Sequence, residues 1–154
     1  MSEMNHEKKN AKFDRILHRA KPPYYDPLGL EIVEVAEDFA RVKMAYSEDI
    51  VNVYGMINGG IIATLADAAA ANALLSAYDD EILTTIEFKI NFWRAAKTDL
   101  YGEARILHKG KGVAVSEVEI KDAQGSVLSK GLFTYAVRKR SRSHMDPQET
   151  RGLK

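Results

Sequence analysis

The chain contains no cysteine, so disulfides, cysteine-ligated zinc and a thiol nucleophile are excluded. It also lacks an excess of either charge: Lys plus Arg and Asp plus Glu are each 22, giving a formal net charge of zero. That balance offers no electrostatic reason to expect nucleic acid or an acidic membrane surface as a partner. The one basic cluster, RKRSR at 138–142, reads as a solvated tail. Thr64, Asp67 and Asn72 break the longest apolar run, so no membrane span is expected. The opening MSEMNHEKKNAKFD has no apolar h-region, so it is not read as a secretory signal, and a cytoplasmic protein is expected. The motifs G-x-S-x-G and H-E-x-x-H, a Walker loop and G-x-G-x-x-G after a strand are all missing. The four histidines, His6, His18, His108 and His144, have no evident partners and read as exposed or weakly packed; no metal site is expected.

What is present suits one globular domain: 154 residues, 45% hydrophobic and 29% charged. Residues 1–10 read as a frayed polar lead. NAKFDRILHRA (10–20) follows as a short amphipathic helix with Phe13, Ile16 and Leu17 at helical spacing, closed by Pro22 and Pro23. Beyond the loop KPPYYDP, LGLEIVEVA (28–36) and FARVKMAYS (39–47) read as a hairpin turned at EDF. A helix is expected from about Gly59 to Ala77. Four strands follow: TTIEFKINFW (84–93), DLYGEARILHKG (99–110), VAVSEVEIKD (113–122) and SVLSKGLFTYAVRK (126–139), the last two joined at DAQG. In the first of the four, strict alternation sets Ile86, Phe88, Ile90 and Phe92 on one face and Thr85, Glu87, Lys89 and Asn91 on the other. One antiparallel sheet wrapped around one apolar helix accounts for this order. The expectation is an α+β domain over residues 1–138, of which 1–27 are lead, short helix and loop, and a disordered extension over 139–154.

The chemistry concentrates in the central helix. Asn58 is a preferred N-cap residue, and Gly59 and Gly60 fill the first turn. The cap alone explains these residues; a functional reading adds that unpaired N–H groups and the positive end of the helix dipole converge there on an oxygen ligand. Asp67 is harder to explain. Isoleucines, leucines and alanines cover most of this helix, and an ionised carboxylate among them is costly without a partner. Either a structural hydrogen bond to Thr64 satisfies it, or it faces a ligand. Gly59 and Asp67 lie two turns apart, roughly 12 Å along the axis. An oxyanion-binding N–H and an attacking carboxylate must both reach one carbonyl, within about 3–3.5 Å. One helix cannot supply both, but two antiparallel copies can, so a homodimer with two composite sites follows from the functional reading.

The stretch NVYGMINGGIIATLAD, followed by TTIEFKINFWRAA, resembles the PaaI-like hotdog-fold acyl-CoA thioesterases of the 4-hydroxybenzoyl-CoA thioesterase superfamily. Those carry Asn-x-x-G-x-x-H-G-G-x-x-x-x-L-x-D, and the likeness runs from about residue 28 to 137. It implies a curved antiparallel sheet around one long helix, paired into homodimers and often dimers of dimers, with an acyl-CoA as substrate and no cofactor beyond the coenzyme A carried by that substrate. By resemblance, the Gly59 N–H polarises the thioester carbonyl and Asn52 stands near the carbonyl and the lytic water. Asp67 is nucleophile or general base, and Thr85 orients the carboxylate or the water. The family histidine before the glycines is Asn58 here, which can cap and donate a hydrogen bond but carries no proton charge.

Hydrolysis of an acyl-CoA to free acid and coenzyme A is therefore the leading expectation. Two alternatives remain: a non-catalytic acyl-CoA or fatty-acyl binding module, motivated by Asn58, and an acyl-thioester hydratase of the same fold, which would want a catalytic histidine. Lys109, Lys111 and Arg138 to Arg140 are candidates for the coenzyme A phosphates. Tyr54, Met56, Tyr78 and Trp93 are candidates for the pocket lining.

Overall fold

The computed structural model describes residues 2–140, with side chains from residue 6 onward. Of the extension expected over 139–154, residues 141–154, with His144 among them, lie outside the described residues, while Lys139 still belongs to the last strand. Six strands form one antiparallel sheet: β1 (Leu30–Ala36), β2 (Phe39–Met44), β3 (Glu81–Phe92), β4 (Leu100–Lys109), β5 (Val113–Asp122) and β6 (Val127–Lys139). Their order across the sheet is β1-β2-β4-β5-β6-β3, so β1 and β3 are the edges. Helix α2 (Gly59–Ala77) lies in the curve of the sheet. Helix α1 (Ser2–His18) packs on β1 and α2.

Helix α1 begins earlier than the apolar spacing predicts. Its first turns are rich in good helix formers, and two ion pairs tie it down: Lys9 to Glu37 at 2.9 Å and Lys12 to Asp79 at 2.7 Å. Such exposed pairs are individually weak, and the buried anchor of the helix is Ile16. The EDF turn between β1 and β2 carries Asp38 at φ 59, a left-handed position that aspartate tolerates.

Helix α2 has the bounds the sequence predicts, and its near-continuous apolar surface is buried as expected. Ile62, Leu65, Ala66, Ala69, Ala70, Ala73 and Leu74 belong to the core with Val42, Met44, Leu100, Val118, Ile120 and Phe133. Its alanines let the sheet come close. Where β4 crosses the helix, a Cβ at Gly102 would lie 3.2 Å from Ala69 and from Leu65. By length and composition α2 could pass for a membrane span, but the sheet of its own domain wraps it. One stripe is less covered: Gly60, Thr64, Asp67, Ala71 and Leu75, spaced by three and four residues.

Strand β3 departs from the strict alternation expected of it. Thr85 pairs with Tyr135 and Glu87 with Thr134, so one residue, Ile86, is extra on the β3 side. This bulge shifts the phase. Phe88, opposite buried Phe133 and stacked on it at 5.0 Å, faces inward. Thr85 faces inward too, on the same side as Phe88 and not with Lys89 and Asn91. As an edge, β3 leaves Ile86 (56%), Phe88 (46%) and Phe92 (47%) accessible in the single chain.

Strands β3 and β6 meet closely at Gly131, where an added Cβ would stand 2.7 Å from the Lys89 carbonyl oxygen and 3.0 Å from the Phe133 ring. Because the nearest atom is backbone, Gly131→Ala must push β3 outward. We expect it to lower the unfolding free energy by about 1–3 kcal/mol, read from urea denaturation. An unchanged midpoint would mean that β3 yields without cost.

Candidate active site

Asp67 stands at the middle of the open stripe of α2, half-buried. It does not bond to Thr64, whose hydroxyl donates to the Gly60 carbonyl at 3.0 Å, so the structural alternative considered for Asp67 falls away. Two strands bring donors to it instead. From β3, the Thr85 hydroxyl lies 3.0 Å from Oδ1 and 3.2 Å from Oδ2. From β6, the Tyr135 hydroxyl lies 2.5 Å from Oδ1 and 3.0 Å from the Asp67 carbonyl oxygen. Burial, and after it the charge of Asp67, pushes the Tyr135 phenol far above the usual tyrosine range, so it stays a protonated donor. Tyr24, in the loop before β1, is pushed up to about 12 by burial, by Tyr25 and by Asp67. Its ring stands edge-on to Tyr25 at 5.0 Å. Among the described residues no lysine or arginine forms an ion pair with Asp67, so hydroxyl donors alone satisfy the carboxylate.

A second group gathers at the N-terminus of α2. Asn58 caps it, its side-chain oxygen accepting from the Gly60 N–H at 2.8 Å. The Gly59 N–H, in the first turn, has no partner among the described residues. Asn52 closes the preceding loop by accepting from the N–H groups of Tyr54 and Met56 at 2.9 and 3.2 Å, which leaves its amide free to donate. Asn52 and Gly59 share a cleft of about 320 Å³ with Met56, Phe92, Trp93 and Arg94.

The expected site residues thus fall into two halves: Asn52, Asn58 and Gly59 at the helix terminus, and Asp67 with Thr85 roughly 12 Å further along. The coenzyme A cations join neither half within this chain. Lys109 is held by Asp38 at 2.7 Å, beside Ser76 and Ala77 at the C-terminal end of α2. Lys111 and Arg138 are exposed, in the β4–β5 turn and near the end of β6. Of the pocket candidates, Met56 and Trp93 line the Gly59 cleft and Tyr54 is exposed beside it. Tyr78 instead donates to the Gly110 carbonyl at 2.9 Å, at the far end of the helix. Two residues were missed. Arg94, next to Trp93 in sequence, lines the cleft; Tyr135 looked like one more apolar inward position beside Phe133 and Val137.

A family model described as the thioesterase superfamily matches residues 54–129. A 1,4-dihydroxy-2-naphthoyl-CoA hydrolase of Listeria monocytogenes is 31% identical over 75% of this chain and 95% of its own length. The chain belongs to the thioesterase superfamily. An acyl-coenzyme A thioesterase 13 from Pongo abelii is 26% identical over 82% of this chain and 85% of that one. In fold, the chain is similar to the E. coli PaaI protein from the phenylacetic acid degradation operon (TM-score 0.71, 24% identity, 79% of this chain and 86% of that one). The architecture is the hotdog of the PaaI-like thioesterases, and the protein is a thioester hydrolase.

Within that superfamily the departure at Asn58 keeps the cap and loses the imidazole. Among the described residues no histidine stands at the N-terminus of α2. His18 ends α1, and His108 lies near the end of β4. His18 is not without a partner, as expected, but lies 3.2 Å from Asp14 one turn earlier, with both groups exposed. A hydratase built on a histidine at this terminus is therefore disfavoured. Nor do three His, Asp or Glu side chains gather into a metal-binding group among the described residues. Since Asn58 supplies the cap, Asn58→Ala should cost about 1 kcal/mol of stability, seen as a lower melting temperature. An unaltered melting curve would show that the cap bond carries no weight.

Proposed function

We propose that the protein hydrolyses an acyl-CoA thioester to the free acid and coenzyme A at two equivalent sites formed between two copies of the chain. The observation that carries this is the position of Asp67: a carboxylate with oriented donors, on the stripe of α2 that its own sheet leaves open, two turns from an unpaired N–H. Two antiparallel helices bring Gly59 of one copy to Asp67 of the other. The accessible edge of β3, with Ile86, Phe88 and Phe92, supports pairing with a second copy, since long apolar edges rarely stay open. A dimer of dimers remains part of the same expectation.

In such a site the Gly59 N–H, at the positive end of the helix dipole, donates to the carbonyl oxygen and stabilises the charge that grows on it. Asp67 acts in one of two ways. As general base it draws a proton from water while the water oxygen bonds to the acyl carbon; the C–S bond breaks, and the thiolate leaves and takes up that proton. As nucleophile it bonds to the acyl carbon itself, expels the thiolate, and water then cleaves the mixed anhydride. Asn52 positions the carbonyl and the water, and Thr85 the carboxylate. For the coenzyme A phosphates, Arg94 is better placed than Lys109, being exposed in the Gly59 cleft while Lys109 is engaged by Asp38. A non-catalytic acyl-CoA binder is the second reading, motivated by Asn58; the hydrogen-bonded preparation of Asp67 speaks against it.

Release of coenzyme A from a panel of acyl-CoAs, followed with a thiol reagent, tests the reading. Asp67→Asn should lose more than roughly a hundredfold in kcat; equal turnover by the variant would overturn the mechanism. Tight binding by wild type without any hydrolysis would favour the binder.

Subunit mixing tests the composite site separately. Asp67→Asn and Asn52→Ala should each be inactive alone. Refolded together in equal amounts they should regain about a quarter of wild-type activity, because half the dimers are mixed and each has one intact site. No recovery would place both residues in a site within one chain.

A further inference from the structure

We propose that Tyr135 is the positioning residue that decides which oxygen of Asp67 reacts, by filling Oδ1 and leaving Oδ2 to meet the water or the acyl carbon. The inference rests on the thioesterase reading of Asp67 and deepens it.

Each carboxylate oxygen has two lone pairs. Oδ1 receives the Tyr135 hydroxyl at 2.5 Å and the Thr85 hydroxyl at 3.0 Å, which takes both. Oδ2 is approached only by Thr85, at 3.2 Å, and the single Thr85 hydrogen is better spent on the nearer oxygen. The reactive lone pairs are therefore on Oδ2. Only a clamp from two strands produces this asymmetry. Thr85 and Tyr135 are register partners across β3 and β6, and the bulge at Ile86 turns Thr85 to the side where Tyr135 already points.

Tyr135 is also suited to a carboxylate that changes its protonation during turnover. Its hydroxyl stands within hydrogen-bond distance of two acceptors, Oδ1 and the Asp67 carbonyl oxygen. While Asp67 is ionised the hydrogen belongs on Oδ1. Once Asp67 takes a proton, the hydrogen can turn to the carbonyl, so the phenol keeps a partner in both states. The groups facing Asp67 are Tyr135 from β6, Thr85 from β3 and Tyr24 from the loop before β1, with no described lysine or arginine among its ion pairs. Tyr24 forms no hydrogen bond to it among the described residues, so the orienting donors are Thr85 and Tyr135.

Two opposite perturbations test the role. Tyr135→Phe removes the donor and keeps the ring. A carboxylate that has lost a donor holds its proton more tightly, so the acidic limb of the kcat/KM–pH profile should move to higher pH. We expect kcat to fall roughly ten- to a hundredfold with KM little changed. Fluorotyrosine placed at position 135 keeps the shape and donates more strongly, so the same limb should move to lower pH. Phe133→Leu, buried on the same strand and with no hydrogen bond to offer Asp67, should lower the melting temperature and leave the profile in place. Profiles for both Tyr135 replacements that overlay wild type, while Asp67→Asn is inactive, would overturn the proposal and spare the mechanism. Full activity of Asp67→Asn would overturn both.

Discussion

A carboxylate placed in the middle of an alanine-rich helix holds its charge only where donors are brought to it, and here two strands do so in register. The single extra residue at Ile86 makes this possible. Without the bulge, strict alternation through β3 would turn Thr85 outward with Glu87 and Lys89, and Asp67 would be left with one hydroxyl. The bulge costs β3 one unpaired residue at the sheet edge, where an irregular ladder is most easily borne. It thus couples the register of an edge strand to the orientation of a side chain on the helix.

The composition of α2 serves the same arrangement. Alanine side chains let β4 approach at Gly102 and let the sheet wrap most of the helix surface. What remains less covered is the stripe through Gly60, Thr64, Asp67, Ala71 and Leu75, whose side chains are small, apart from the carboxylate, until Leu75 near its C-terminal end. A bulky residue there would hold a second copy at a distance. Small ones would allow close approach, and under the proposed pairing the gap of roughly 12 Å between Gly59 and Asp67 along one helix would become a short contact between two. On that proposal, the separation that prevents a site within one chain would specify one between chains.

Much of this was legible in the sequence because it rests on periodicity. The bounds of α2, the succession of elements along the chain and the oddity of Asp67 all follow from where apolar residues recur. Other features left no periodic trace. The alternation Ile86, Phe88, Ile90, Phe92 runs on without a visible break, although the residues preceding it are out of phase; a bulge shows only in the pairing with β6. Tyr135 carries the pattern of any inward aromatic, and its hydroxyl matters only because Asp67 lies opposite. Lys109 looked free because its partner, Asp38, is distant in sequence and reached through the β2–β4 pairing. The early start of α1 leaves little apolar trace, because its first turns are polar helix formers tied at Lys9 to Glu37, which an amphipathic pattern does not count. Local patterns predict elements, but contacts across the sheet decide what the side chains on those elements are for.

The replacement of the family histidine by Asn58 simplifies the electrostatics. An imidazole at the helix terminus would add a group that changes charge near neutral pH. Asparagine adds none, and the cap bond to Gly60 is made by a neutral oxygen. The charge developing on a carbonyl oxygen would then be met by the helix dipole and a backbone N–H, neither of which titrates. On the other side of the site both phenols are pushed upward and stay neutral far above physiological pH. The hydroxyls that meet Asp67 are thus neutral donors, as is the backbone N–H of the other half.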